Sequence, residues 1–169
     1  MNLDDIRKEI DETDKEMSRL FERRMKLAGD VAAFKLETGD CIYKPDREQA
    51  VIDRFKSGAS DNMKWYYEAF IRRLMLISRE YQYSIISERG NHCSYGDSNC
   101  SDDISLSFSY KDGWPDNIVT AIGDMGAVVT DLNKDGDMYT VVIKGNIEPE
   151  KLRVLSTLVE CESDTVCIR

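Results

Sequence analysis

The strongest constraint on this chain is an unbroken apolar stripe at its N-terminal end. Leu3, Ile6, Ile10, Met17, Leu20, Leu27, Val31 and Phe34 recur at the spacing of one helix face, and no proline interrupts them. The pattern predicts a single helix of about 34 residues, about 50 Å long at ~1.5 Å per residue. Such a rod outreaches a compact monomeric domain of about 90 residues, so another chain must cover much of the stripe. A plain coiled coil would explain the length, but Asp14 and Arg24 stand where a zipper seam needs apolar residues.

Thr38-Gly39-Asp40 ends this helix, and Lys44-Pro45-Asp46-Arg47-Glu48 opens a second that runs to about Lys56. A third starts near Asp61-Asn62, carries Trp65, Phe70, Leu74, Ile77, Tyr81 and Ile85, and ends at Gly90. Residues 91–102 are short, polar and turn-rich, and read as a linker. The period then changes. Ile104, Leu106, Phe108 and Tyr110 alternate with serines as in a half-buried strand. A turn at Asp112-Gly113-Trp114-Pro115 leads to a helix through Ile118 and Ile122. Two strands follow, Ala127 to Leu132 and Met138 to Ile143, around a turn at Asn133-Lys134-Asp135-Gly136. Pro149 opens a last helix, and Thr165 to Ile168 forms a last strand. The expected architecture has two domains: an all-α three-helix domain over 1–90 and a small α+β ferredoxin-like βαββαβ domain over 103–169.

Charge is divided unevenly between them. Residues 1–90 hold 17 basic and 18 acidic side chains, and residues 91–169 hold 6 and 14, within a total of -9. An anionic ligand therefore belongs in the first half, the acids of the second half reading mostly as solvated surface. The acidic balance argues against nucleic-acid binding. No apolar run is long enough for a membrane span, and the charged start MNLDDIRKEI does not read as a signal peptide, so the expected location is cytoplasmic.

The five cysteines, at 41, 93, 100, 161 and 167, do not suggest a disulfide framework. His92, Cys93 and Cys100 lack a fourth zinc ligand, so no metal is expected. Asp131, Asn133, Asp135 and Gly136 imitate the start of a calcium loop, but its twelfth position is Val142, and a hairpin explains them better.

Polar residues on the amphipathic helices form a more informative set. Arg24 and Lys35 are 11 residues apart, within about 20° of one face. Ser78 and Gln82 share a face one turn apart, and Arg47 and Glu48 open the second helix. Each alone reads as solvated surface; together, several cations with neutral donors suit a small polyanion.

In order and spacing these residues resemble the all-helical class of chorismate mutases over about residues 3–88. The resemblance rests on Leu3-x-x-Ile6-Arg7-x-x-Ile10-Asp11-x-x-Asp14, Glu22-Arg23-Arg24-x-x-Leu27-Ala28, Val31, Lys35, Pro45-Asp46-Arg47-Glu48 and Ser78-Arg79-x-x-Gln82. It implies rearrangement of chorismate to prephenate in an intertwined homodimer, with no cofactor. It implies Lys35 and Gln82 as the catalytic residues at the ether oxygen, and Arg7, Arg24, Arg47, Glu48 and Ser78 as substrate-binding residues, Arg7 crossing from the partner. Arg24 is preferred to Arg23 because it shares a face with Lys35. Lys44 departs from those relatives that carry an acid there.

The C-terminal part resembles an ACT-type regulatory domain in element order and in the loop before its first helix. That resemblance implies an aromatic amino-acid effector, with Gly113, Trp114 and Pro115 as candidate effector-binding residues. Two other readings fit the same chain: an isochorismate-pyruvate lyase, which shares the helical fold, and a non-catalytic amino-acid sensor whose helices only dimerise. Dimerisation needs none of Lys35, Glu48 and Gln82, which weighs against the sensor.

Overall fold

The computed structural model describes residues 2–89, 104–110, 115–145, 147–163 and 166–168. Helix α1 spans Leu3–Thr38. The Asn2 side chain accepts the Asp5 N–H at 2.9 Å and the Asp5 carboxylate accepts the Asn2 N–H at 3.2 Å, so two unpaired donors are satisfied reciprocally. Gly39 stops the helix in the left-handed region at φ 71°, where a side chain would be strained. Only Ala28 and Ala32 of α1 are buried. Around them the helix–helix approach is close, and a Cβ on Gly29 would meet Tyr81 and Ile85 at 3.5 and 3.6 Å. The rest of the apolar stripe faces outward, Leu20 and Phe34 being 65% and 63% exposed.

Helix α2 (Pro45–Gly58) begins with proline at its first turn, where the missing N–H costs nothing, and packs on α3 (Lys64–Arg89) through Ile52, Ile71 and Met75. The buried face of α3 is not the one its sequence stripe suggests. Trp65, Phe70 and Tyr81 are exposed, whereas Ile71, Met75, Leu76, Ser78, Arg79, Gln82 and Tyr83 are buried. The reason is that α3 meets α1, α2 and a later helix on different sides. Apolar residues then occur all round it, and a single stripe no longer marks the core.

Strands β1 (Ile104–Ser109), β2 (Val128–Asp135), β3 (Met138–Lys144) and β4 (Val166–Ile168) form one sheet in the order β2-β3-β1-β4. Every neighbouring pair is antiparallel. Helix α4 (Asp116–Asp124) follows β1 and α5 (Pro149–Glu162) follows β3, completing a βαββαβ order. Ile104, Leu106 and Phe108 alternate into the core as their pattern requires. The β2–β3 hairpin is tighter than expected. Asn133 and Lys134 pair with Thr140 and Tyr139, Asp135 pairs with Met138, and only Gly136 and Asp137 turn. The acidic residues that imitate a calcium loop thus lie in a strand. Gly136 supplies the positive φ of 59°.

Helix α5 is buried continuously from Val154 to Val159, with the Ser156 and Thr157 hydroxyls turned back onto carbonyls of their own helix. Contacts to α3, α4 and β4 account for this burial. A single apolar cluster runs from Ile42, Leu76 and Tyr83 of the helical part through Leu155 and Leu158 to Leu106 and Val141 of the sheet. The helical and sheet-bearing parts therefore share one core. The expected linker at 91–102, with His92, Cys93 and Cys100, lies outside the described residues.

Candidate active site

The middle of α1, the α1–α2 loop, the start of α2 and the centre of α3 enclose a cavity of about 280 Å³. Arg24, Lys35, Arg47, Glu48, Ser78 and Gln82 all line it, so six of the seven residues expected to touch substrate or react with it converge. Arg7 does not. It lies just over one turn into α1, is exposed, and pairs with Asp4 at 3.3 Å. Seventeen residues separate it from Arg24, about 25 Å along a straight helix. Arg23 is exposed and absent from the lining, unlike its neighbour Arg24. Of the candidate effector residues, Pro115 is buried before α4, whereas Gly113 and Trp114 lie outside the described residues.

Each side chain in the cavity is held from behind. Arg24 donates to the Ser78 hydroxyl, and burial lowers its pKa against the raising effect of Glu48. Lys35 donates to the Ile42 carbonyl at 2.8 Å, leaving two ammonium protons for a ligand. Burial is the largest influence on Lys35 and pushes its pKa down; Asp40 opposes this, while Lys44 and Arg47 reinforce it. Gln82 donates to the Ser78 carbonyl at 3.0 Å, and its own carbonyl oxygen is buried without a hydrogen-bond partner among the described residues. A buried orphan acceptor costs about 1–3 kcal/mol, so it marks a group with bonding capacity to spare.

Two charged lining residues, Lys44 and Arg79, were not among the expected site residues. Lys44 adds a cation at the rim, where its bond to Asp40 raises its pKa. Arg79 stands behind the cavity, its guanidinium on both oxygens of Glu48, 2.8 Å from a Glu162 oxygen and 4.6 Å from the centre of the Tyr43 ring. Five cations thus surround one carboxylate, a field that favours a small dianion. A signal for Arg79 exists in the sequence: Met75, Leu76, Gln82 and Tyr83 flank it at helical spacing on one face.

Residues 6–83 match the family model described as chorismate mutase type II. The helical part is similar to that family over this segment, just under half of the chain. The same part of the chain is similar to the T-protein of Haemophilus influenzae, 36% identical over 78 residues, with 43% of this chain and 20% of the relative covered. It is also similar to the chorismate mutase of Methanocaldococcus jannaschii, 43% identical over 54 residues, 32% of this chain and 54% of the relative. The chain thus matches about a fifth and about half the length of these relatives. No solved structure matches it significantly. Among the described residues no helix is long and apolar enough to cross a membrane, and no three potential metal ligands cluster.

Proposed function

We propose that the protein is a chorismate mutase, converting chorismate to prephenate by an intramolecular Claisen rearrangement in phenylalanine and tyrosine biosynthesis. The observation that carries this reading is the convergence of Arg24, Lys35, Arg47, Glu48, Ser78 and Gln82 on one cavity within a segment similar to that family. The reaction is unimolecular and needs neither nucleophile nor redox centre. Its barrier falls when the folded, near-attack conformer is held and the charge that develops as the carbon–oxygen bond breaks is stabilised. Arg24 and Arg47, with Ser78, bind the carboxylates, and Glu48 accepts a hydrogen bond from the ring hydroxyl. Lys35 and Gln82 donate to the ether oxygen. Lys35 keeps two free donors for this, and Gln82 has a second amide proton beyond the one given to Ser78.

The active form in this reading is a homodimer in which Arg7 crosses into the partner's cavity. The exposed apolar stripe of α1 and the groove lined by Met17, Leu20, Phe21, Phe70, Leu74 and Ile77 support it, because a monomer would leave that surface in water. The C-terminal part acts as an ACT-like domain that senses an aromatic amino acid, a reading supported by the βαββαβ order and the β2-β3-β1-β4 sheet.

Incubation with chorismate tests the activity. Formation of prephenate is expected; release of pyruvate would identify a lyase instead, and an unchanged substrate would refute catalysis. Calorimetry with phenylalanine and tyrosine tests the sensor role, and no heat from either would refute it.

A further inference from the structure

Glu162 is the last residue of α5, in the sheet-bearing part of the chain, yet its side chain is 0% exposed. It faces Arg79, whose side chain is 4% exposed, with the Arg79 Nε 2.8 Å from Oε1. That approach lies off the N–H axis, so it is an ion pair and not a directed hydrogen bond. The Tyr83 hydroxyl donates to the same oxygen at 3.2 Å. On its other side Arg79 takes both oxygens of Glu48, which lines the cavity. An arginine with two carboxylates on opposite edges thus joins α5 to the first turn of α2 through the centre of α3.

Placing a carboxylate in a dry core is costly. Desolvation takes several kcal/mol per ion, and apolar residues of similar volume often stabilise a fold as well as a buried ion triad or better. Burial accordingly pushes the Glu162 carboxyl upward, against the pull of Arg79 and the Tyr83 hydroxyl. Stability alone is therefore a poor account of the triad. Its geometry offers another. Arg79 has a planar guanidinium whose forks are fixed relative to one another. Anchoring its Nε edge fixes the plane of the Nη1 donors and, with it, the rotamer of Glu48. Tyr43 closes the guanidinium face.

We propose that Glu162 is a positioning residue of the active site, acting through Arg79 to orient Glu48, so that the sheet-bearing part of the chain builds the substrate pocket. This rests on the mutase reading, in which Glu48 accepts the substrate's ring hydroxyl. That bond is made in both ground and transition states, so its misalignment raises KM more than it lowers kcat. A role confined to folding would instead reduce the active fraction, lowering apparent kcat at unchanged KM.

The experiment is a double-mutant cycle in the full chain between Glu162→Gln and Glu48→Gln, read by chorismate turnover and by urea unfolding. Glu162→Gln is expected to lower kcat/KM about tenfold or more, chiefly through KM. In the Glu48→Gln background the same change should cost less than about twofold, because the residue it acts through is already altered. Kinetics of Glu162→Gln within twofold of the parent, or a full multiplicative loss in the second background, would overturn the proposal. Should Glu162→Gln lose native circular dichroism, Arg79→Lys replaces it: the charge stays, the planar fork that spans Glu162 and Glu48 goes, and the same KM-dominated loss is expected. A parent chain that leaves chorismate untouched would refute the mutase reading. The triad is then judged by unfolding, where strictly additive effects of the two substitutions would overturn the coupling.

Discussion

Glu80 lies on α3 beside Asp124 of α4, and the Arg73–Asp124 ion pair joins the same two helices. One Glu80 carboxylate oxygen is buried without a hydrogen-bond partner among the described residues. Burial first, then the charge of Asp124 and the hydrogen bond shared with it, raise the Glu80 carboxyl from 4.5 to about 7; Arg73 and Arg79 oppose the rise. A raised carboxyl means that the folded chain holds this proton more tightly than the unfolded chain. Its favourable contribution is complete below the unfolded value near 4.5 and vanishes as pH climbs through about 7. Ionising such a group in place costs about 3 kcal/mol at 1.4 kcal/mol per tenfold, which partial solvent access reduces to about 1–2 kcal/mol. Glu80→Gln keeps the shape and a donor toward Asp124 but removes the charge. The variant should match the parent near pH ~5 and exceed it by about 1–2 kcal/mol near pH ~8.5. In urea unfolding that is a midpoint gain of roughly 0.5–1 M at a slope of about 2 kcal/mol/M. A variant no more stable than the parent at the higher pH, or equally stabilised at both, would refute the reasoning.

The remaining expectations concern the cavity and the seam. Lys35→Ala should cut kcat far more than it raises KM, because its bond to the ether oxygen strengthens as charge develops; steady-state kinetics with unchanged kcat would refute that role. Mixing inactive Arg7→Ala chains with inactive Lys35→Ala chains should restore activity, since one site per mixed dimer keeps both residues. No recovery after demonstrated subunit exchange would refute the shared site. Gln82→Glu should be active only while the new acid is protonated, so its rate should fall as pH rises through that group's titration; a flat profile across pH ~4–8 would exclude contact with the ether oxygen. A chain ending near Glu88 should unfold at much lower urea or aggregate, because Leu76 and Tyr83 lose burial worth about 1.5–3 kcal/mol each. Unfolding and kinetics identical to the full chain would contradict a shared core.

Much of this was legible in the residues. The stripe from Leu3 to Phe34 marks α1, Pro45 marks the start of α2, and the alternation from Ile104 to Phe108 marks β1, because each element has one dominant environment. Arg24 was separable from Arg23 by helical angle alone. Where an element meets several environments, the pattern misleads. The residues from Trp65 to Ile85 that look like the buried stripe of α3 include the exposed aromatics Trp65, Phe70 and Tyr81, while the sides packed on other elements bury Ile71, Met75, Leu76 and Tyr83. Arg79 and Glu162 resemble solvated charges because each partner is supplied by a distant part of the chain. A trace was present in Leu155, Leu158, Val159 and Glu162, whose spacing puts the acid on an apolar face. Spacing along one helix cannot reveal which arginine stands opposite it.

The crowding of α3 sets how the protein tolerates change. Within 26 residues, Ile71 and Met75 serve α2, Leu76 and Tyr83 belong to the core shared with the sheet, and Ser78, Arg79 and Gln82 serve the cavity. Its remaining aromatics, Trp65, Tyr66, Tyr67, Phe70 and Tyr81, are exposed. Substitutions here have few neutral destinations, and a change that suits one neighbour tilts the helix against the other two. Drift in sequence should therefore accumulate on α2 and on the outer strand β2, whose exposed positions answer to one neighbour each. Along α3, altered residues should be accepted mainly in compensating pairs with the helices on either side.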